Sequence, residues 1–216
     1  MLRTPVHSRR EIVLAAGGAE LPGSLTVPGA AVGAVAFAHG SGSSRDSPRN
    51  LRVARLLNDS HLATLLFDLL TPVEAADRRN VFDIPLLAGR LSSAAAWLAE
   101  DPEVALLPLG YFGASASAAA ALWAAAGDPR IRAVVSRGGR PDLARPRLGA
   151  VRVPTLLIVG GFDSVVLDLN EEARLLLRCE CELRLVPKAG HLFEEPGALE
   201  TVGRLARDWF LDHLGG

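Results

Sequence analysis

The chain has 216 residues, with 23 basic and 24 acidic side chains and a formal net charge of −1. That length suits one α/β domain spanning residues 1–216 with a sizeable core. The even charge balance argues against the basic surface that nucleic-acid binding requires. The longest small-apolar block, 116–126, is too short to span a bilayer, and the N-terminus around Arg3, Arg9 and Arg10 lacks the apolar core of a secretory signal.

In chain order, residues 11–15 and 24–27 flank Gly17-Gly18 and Pro22-Gly23. Short runs separated by turn residues predict an antiparallel pair at a sheet edge. Residues 32–38 are a continuous apolar run that ends in His39-Gly40-Ser41-Gly42. Ser47-Pro48 then forms an N-cap and first helical position, for a helix ending near Asn58. Residues 62–67 read as a buried strand closing at Asp68. From Asp83, Leu87, Leu91, Ala94 and Leu98 recur at helical spacing. Residues 106–112 are short and rich in large apolar side chains, which predicts a central strand, and an Ala-rich helix follows. Strands are expected at 132–136, 153–160 and 182–186, with helices over 167–177 and from Pro196 to about Leu214.

Strands that are apolar throughout belong to a parallel sheet covered on both faces, with helices as right-handed crossovers. Chemistry in such sheets gathers at the carboxyl ends of the strands, and Ser115, Asp163 and His191 each follow a predicted strand. Gly113-Ala114-Ser115-Ala116-Ser117 has the form of a nucleophile elbow, with Ser where the last Gly usually stands. The order Ser, Asp, His is that of the α/β-hydrolases. In this reading His191 removes the Ser115 proton and Asp163 fixes the imidazole tautomer. The backbone N–H groups of Ser41 and Ala116 are candidates for the oxyanion hole. Asp168 is a rival acid, and Asp163 has the alternative of merely capping the next helix. His39 and Asp68 read as loop-fixing groups. His7, His61 and His213 read as surface residues without metal spacing, and Trp97, Trp123 and Trp209 as helical core positions. Cys179 and Cys181, two apart on a presumed strand, are poorly placed for a disulfide. Reduced thiols and a cytoplasmic protein are expected.

The stretches His39-Gly-Ser-Gly-Ser-Ser44, Phe67-Asp-Leu-Leu-Thr71, Gly110-Tyr-Phe-Gly-Ala-Ser115, Ser136-Arg-Gly-Gly-Arg-Pro-Asp142, Gly160-Gly-Phe-Asp163 and Gly190-His-Leu-Phe-Glu-Glu-Pro196 carry a resemblance along nearly the whole chain. The chain resembles the small α/β-hydrolases of the dienelactone hydrolase type. The resemblance implies a mostly parallel eight-stranded sheet with helices on both faces, no metal or other cofactor, and nucleophile, acid and base at Ser115, Asp163 and His191. Dienelactone hydrolase itself uses Cys where this chain has Ser115. Some relatives of the module are joined to a phosphoribosyltransferase domain, and these 216 residues are expected to hold the hydrolase module alone. No lid is expected between Ser136 and Val153, so the site should be an open cleft. Arg137 and Arg140, bracketing Gly138-Gly139 beside the nucleophile strand, are candidates to bind an anionic group on the substrate, unless one of them pairs with Asp142. The expected reaction is cleavage of a small-molecule ester or lactone, with no nucleic-acid or membrane partner and a homodimer allowed. Acyl transfer, thioester cleavage and a catalytically silent scaffold remain as alternatives.

Overall fold

A computed structural model describes residues 7–40 and 42–215. Eight strands form one sheet: β1 (His7–Ala16), β2 (Ala19–Pro28), β3 (Gly33–Ala38), β4 (Leu62–Phe67), β5 (Leu109–Ala114), β6 (Ile131–Arg137), β7 (Thr155–Gly160) and β8 (Cys181–Val186). Their spatial order is β1-β2-β4-β3-β5-β6-β7-β8. β1 and β2 form the expected antiparallel hairpin at one edge, and β2 also runs antiparallel to β4. Every other pairing is parallel.

Burial explains the strand sequences. Every residue of β3, β4, β5 and β7 is buried, because helices cover both faces and leave no side to alternate towards water. One face packs α4 (Ile84–Glu100) and α5 (Ala116–Ala125), and the other packs α1 (Pro48–Asn58) and α8 (Ala198–Leu214). All of α5 is buried except Trp123, and a helix enclosed all round against a sheet fits only if its side chains are small. That is why the sequence there is mostly Ala. On the opposite face Phe210 of α8 is 0% exposed, and burying one such ring is worth about 1.5–3 kcal/mol. Caps set the helix starts: the Ser47 hydroxyl, as expected, accepts from Asn50 N at 3.5 Å, and the Asp83 carboxylate accepts from Leu86 N at 3.0 Å. α7 (Ser164–Leu176) begins directly after Asp163.

The central strand starts later than expected. Leu106 is 99% exposed, because residues 101–107 coil through backbone bonds such as Ala105 N to Asp101 O at 2.7 Å, and only after Pro108 does the chain enter the sheet. Between β4 and α4 lie two short helices that the sequence reading passed over, α2 (Pro72–Ala76) and α3 (Arg78–Val81). Between β6 and β7 there is only a 3-10 turn, Pro141–Ala144, and the four-residue α6, Arg145–Leu148. His213 is not a surface residue: it stands edge-on to Trp209, with ring centroids 4.4 Å apart. Cys179 precedes β8 rather than lying on it. Both thiols are free, and burial, chiefly, pushes Cys181 up to about 12. Among the described residues no helix is long and apolar enough to cross a membrane.

Candidate active site

Ser115 sits between β5 and α5 with φ 53° and ψ −131°, a conformation that costs a non-glycine residue strain. Two backbone bonds to the end of β6 hold it there: Ser115 N donates to Arg137 O at 3.2 Å, and Arg140 N donates to Ser115 O at 3.1 Å. The corner closes only because residue 113 is Gly. A Cβ there would lie 2.5 Å from the Cα of Ala118, so any side chain would drive α5 off the strand. The Ser115 side chain does not cap its own helix, which leaves the hydroxyl available for chemistry.

Asp163 and His191 arrive at the same sheet edge from β7 and β8. The carboxylate Oδ2 of Asp163 accepts from Nδ1 of His191 at 2.7 Å. Asp163 occupies the N-cap position of α7 yet makes no side-chain cap bond, so its carboxylate serves the imidazole rather than the helix. The rival Asp168 is exposed on α7. Nδ1 is taken by Asp163, so Nε2 is the nitrogen free to face a substrate, and 39% side-chain exposure leaves the ring reachable. Gly138, with φ +51°, passes directly beneath: a Cβ on it would sit 3.2 Å from His191 O and 3.6 Å from His191 Cε1. The turn after β6 therefore touches the candidate base through Gly138 and the candidate nucleophile through residues 137 and 140.

The loop after β3 closes the site from the other side. A Cβ on Gly40 would lie 3.3 Å from Ser115 Cβ, which places this loop against the nucleophile. Ser41 lies outside the described residues. The N–H of Ala116, at the first position of α5, has no intrahelical acceptor available to it. His39 pins the loop. Its Nε2 accepts from Leu69 N at 3.2 Å, so Nδ1 carries the proton and donates to Gly40 O at 3.1 Å. Burial pushes its pKa down, and the ring works as a neutral bridge between loops. Asp68 accepts from Arg45 N at 2.8 Å, the loop-fixing role expected of it.

Beside the nucleophile lies a cavity of about 580 Å³, roofed by α2 and α3 and lined by Leu69, Val81, Phe82 and Leu87, with Gly40 and Ser117 at its inner end. The expected cleft is thus partly covered, by an excursion that follows β4 rather than β6. The roof is tied down by a bond from Arg90 of α4, 3% exposed, to Glu74 of α2 at 2.7 Å. Neither expected arginine lines this cavity. Arg140 is held by Asp142 through two bonds of 2.8 and 2.7 Å. Arg137 shares a strand face with Ala133 and Val135, which pack towards α1 and α8. Its guanidinium is 8% exposed and unpaired among the described residues, and burial, then the nearby Arg49, lowers it to about 10. Among the described residues no group of three or more His, Cys, Asp or Glu side chains is placed to hold a metal ion.

A strained serine at a strand-to-helix corner and an Asp–His pair, all at the carboxyl edge of a mostly parallel sheet, define an α/β-hydrolase. A crystal structure of dienelactone hydrolase from Anabaena variabilis is 50% identical in sequence, covers 96% of this chain and 99% of that chain, and superposes with a TM-score of 0.93. The chain belongs to the dienelactone hydrolase-like family. A cold-adapted esterase from an Arctic intertidal metagenomic library, 18% identical over 98% of this chain and 96% of its own, shares the fold with a TM-score of 0.78. A protein known from two strains of Mycobacterium tuberculosis, provisionally named a phosphoribosyl transferase, is 60% identical over 208 residues. That match takes in 95% of this chain but 47% of the relative, so the chain spans about half the length of the curated relatives it matches. No protein-family model matches the chain.

Proposed function

We propose that the chain is a serine hydrolase that cleaves carboxylic esters or lactones through an acyl-enzyme. Ser115 Oγ adds to the substrate carbonyl carbon while its proton passes to Nε2 of His191. The Asp163 carboxylate stabilises the resulting imidazolium. The carbonyl oxygen, now an oxyanion, is received by backbone N–H groups, with Ala116 and Ser41 as the candidates. When the carbon–oxygen bond to the leaving group breaks, the imidazolium gives that oxygen the proton. Water then repeats the sequence, giving its proton to His191 and releasing the acid and a restored Ser115.

The observation that carries this reading is the 2.7 Å bond between His191 and an Asp163 carboxylate that declines to cap its own helix. It orients the base towards the edge where Ser115 is held in strain. The transferase name of the Mycobacterium tuberculosis relatives describes proteins about twice as long as this chain, and we assign that activity to the part this chain does not span. Of the two arginines considered for anion recognition, Arg140 is taken by Asp142 and Arg137 is buried on the face towards α1 and α8, so that role is assigned to neither. The two free thiols fit a reducing compartment, and we place the enzyme in the cytoplasm. The test is labelling with a fluorophosphonate probe followed by peptide mapping. Modification of Ser115, lost in Ser115→Ala, is the expected result. A folded wild-type protein that neither takes the label nor turns over short esters overturns the proposal.

A further inference from the structure

The cavity and the His191–Asp163 pair lie on opposite sides of Ser115, and this settles which half of a substrate goes where. In acyl transfer the base returns its proton to the leaving group, so the leaving group has to sit on the His191 side. The cavity reaches Gly40, whose position abuts Ser115, and Ser117, but none of its lining comes from Asp163, His191 or the 137–140 turn. Resting on the serine hydrolase reading above, we infer that this cavity is the acyl subsite and that Ser117 reads an oxygen substituent on the acyl chain.

Ser117 stands where the elbow motif usually has Gly, at the second position of α5. It is 3% exposed and lines the cavity close to Gly40 and the nucleophile corner. Its hydroxyl, on a cavity wall shared with Leu69, Val81, Phe82 and Leu87, is placed to take a partner from a bound substrate. An acyl group bearing a hydroxyl or oxo group on the second or third carbon would supply that partner, with the rest of its chain on apolar walls. The substrate class is therefore esters or lactones of hydroxy or oxo acids with a compact apolar tail. The leaving-group side is open, flanked by Phe162 at 72% and Leu192 at 44% exposure. It should discriminate weakly.

The experiment compares ethyl and benzyl esters of butyrate, 2-hydroxybutyrate and 3-hydroxybutyrate by pH-stat, using enzyme whose Ser115 accepts the fluorophosphonate probe. Ser117→Ala should lower the preference for one of the hydroxy acids over butyrate, as a ratio of kcat/KM, by about 3- to 10-fold. The ethyl-to-benzyl ratio should stay as in wild type. A second variant, Val81→Trp, tests the volume from a roof helix that buries no residue of its own. It should penalise long and branched acyl chains relative to acetyl, with no matching penalty for large leaving groups. Probe-labelled, active variants with an unchanged hydroxy-to-plain ratio, or a Val81→Trp penalty that follows leaving-group size, overturn the acyl-subsite assignment and leave the hydrolase reading standing. A wild-type protein that takes no label overturns both.

Discussion

The backbone of Ser115 stores strain that can be measured by substitution. A non-glycine residue held at φ 53° and ψ −131° costs on the order of 1–3 kcal/mol. Replacing Ser by Ala leaves that cost in place, since Ala also carries a Cβ. Nor does Ala remove a cap, because the Ser115 side chain makes none. Replacing Ser by Gly removes the strain but adds unfolded-state freedom worth about 0.5–1 kcal/mol in the opposite sense. Ser115→Gly should therefore be more stable than Ser115→Ala by about 1 kcal/mol, and for a chain of this size that is about 2–4 °C in Tm. Neither variant should hydrolyse short esters at a rate above background. Urea unfolding midpoints and thermal melts of the two variants, read side by side, decide the matter. An alanine variant as stable as the glycine one would show that the corner is not strained, and the link drawn between its geometry and an exposed nucleophile would fail.

Three other perturbations follow. Asp163→Asn should fold normally and lose about 10²- to 10⁴-fold in kcat, because an amide stabilises neither the tautomer nor the imidazolium; Asp168→Asn should match wild type, and the reverse pattern in steady-state ester assays would relocate the acid. Gly113→Ala pushes a Cβ to 2.5 Å from a backbone carbon that cannot rotate away, so a loss of about 1–3 kcal/mol or more is expected in denaturant melts, together with reduced turnover. His39 is buried with its pKa lowered, so the unfolded chain takes up a proton that the folded chain refuses. Stability is complete above the ordinary histidine value and falls as pH drops below about 6.5. His39→Gln should show a shallower decline between pH 7 and 5 in urea midpoints, and an unchanged slope would remove His39 as its source.

The parts of the sheet buried on both faces were readable because burial leaves one kind of sequence. β3 is apolar throughout and β4 and β7 are so except for Thr64 and Thr155, and the candidate residues Ser115, Asp163 and His191 follow β5, β7 and β8. Legibility failed where structure rests on polar bonds or local pairing. α2 and α3 bury nothing, so they show no hydrophobic period. The available signal was Thr71-Pro72-Val73-Glu74, a capping box with a proline at its first position. Leu106 misled because a run of large apolar residues reads as strand, whereas Pro108 and the turn bonds before it delay entry to the sheet. Arg140 was offered to a substrate, but a carboxylate two residues along the chain is always nearer than a ligand. Ser41, the other oxyanion candidate, falls outside the described residues. The cavity was illegible because its walls come from four separate stretches, and only the sheet order brings them together.

The roof over the cavity is fastened by the ion pair between Arg90 and Glu74, while its two helices contribute no side chain to the core. Stability and selectivity are therefore written in different residues. Mutations can accumulate along 72–81 without eroding the fold, provided Glu74 keeps its partner. On the acyl-subsite proposal, a lineage starting from this chain has a short route to new acyl preferences: redraw the nine other positions of 72–81 and leave the edge that carries Ser115, Asp163 and His191 untouched.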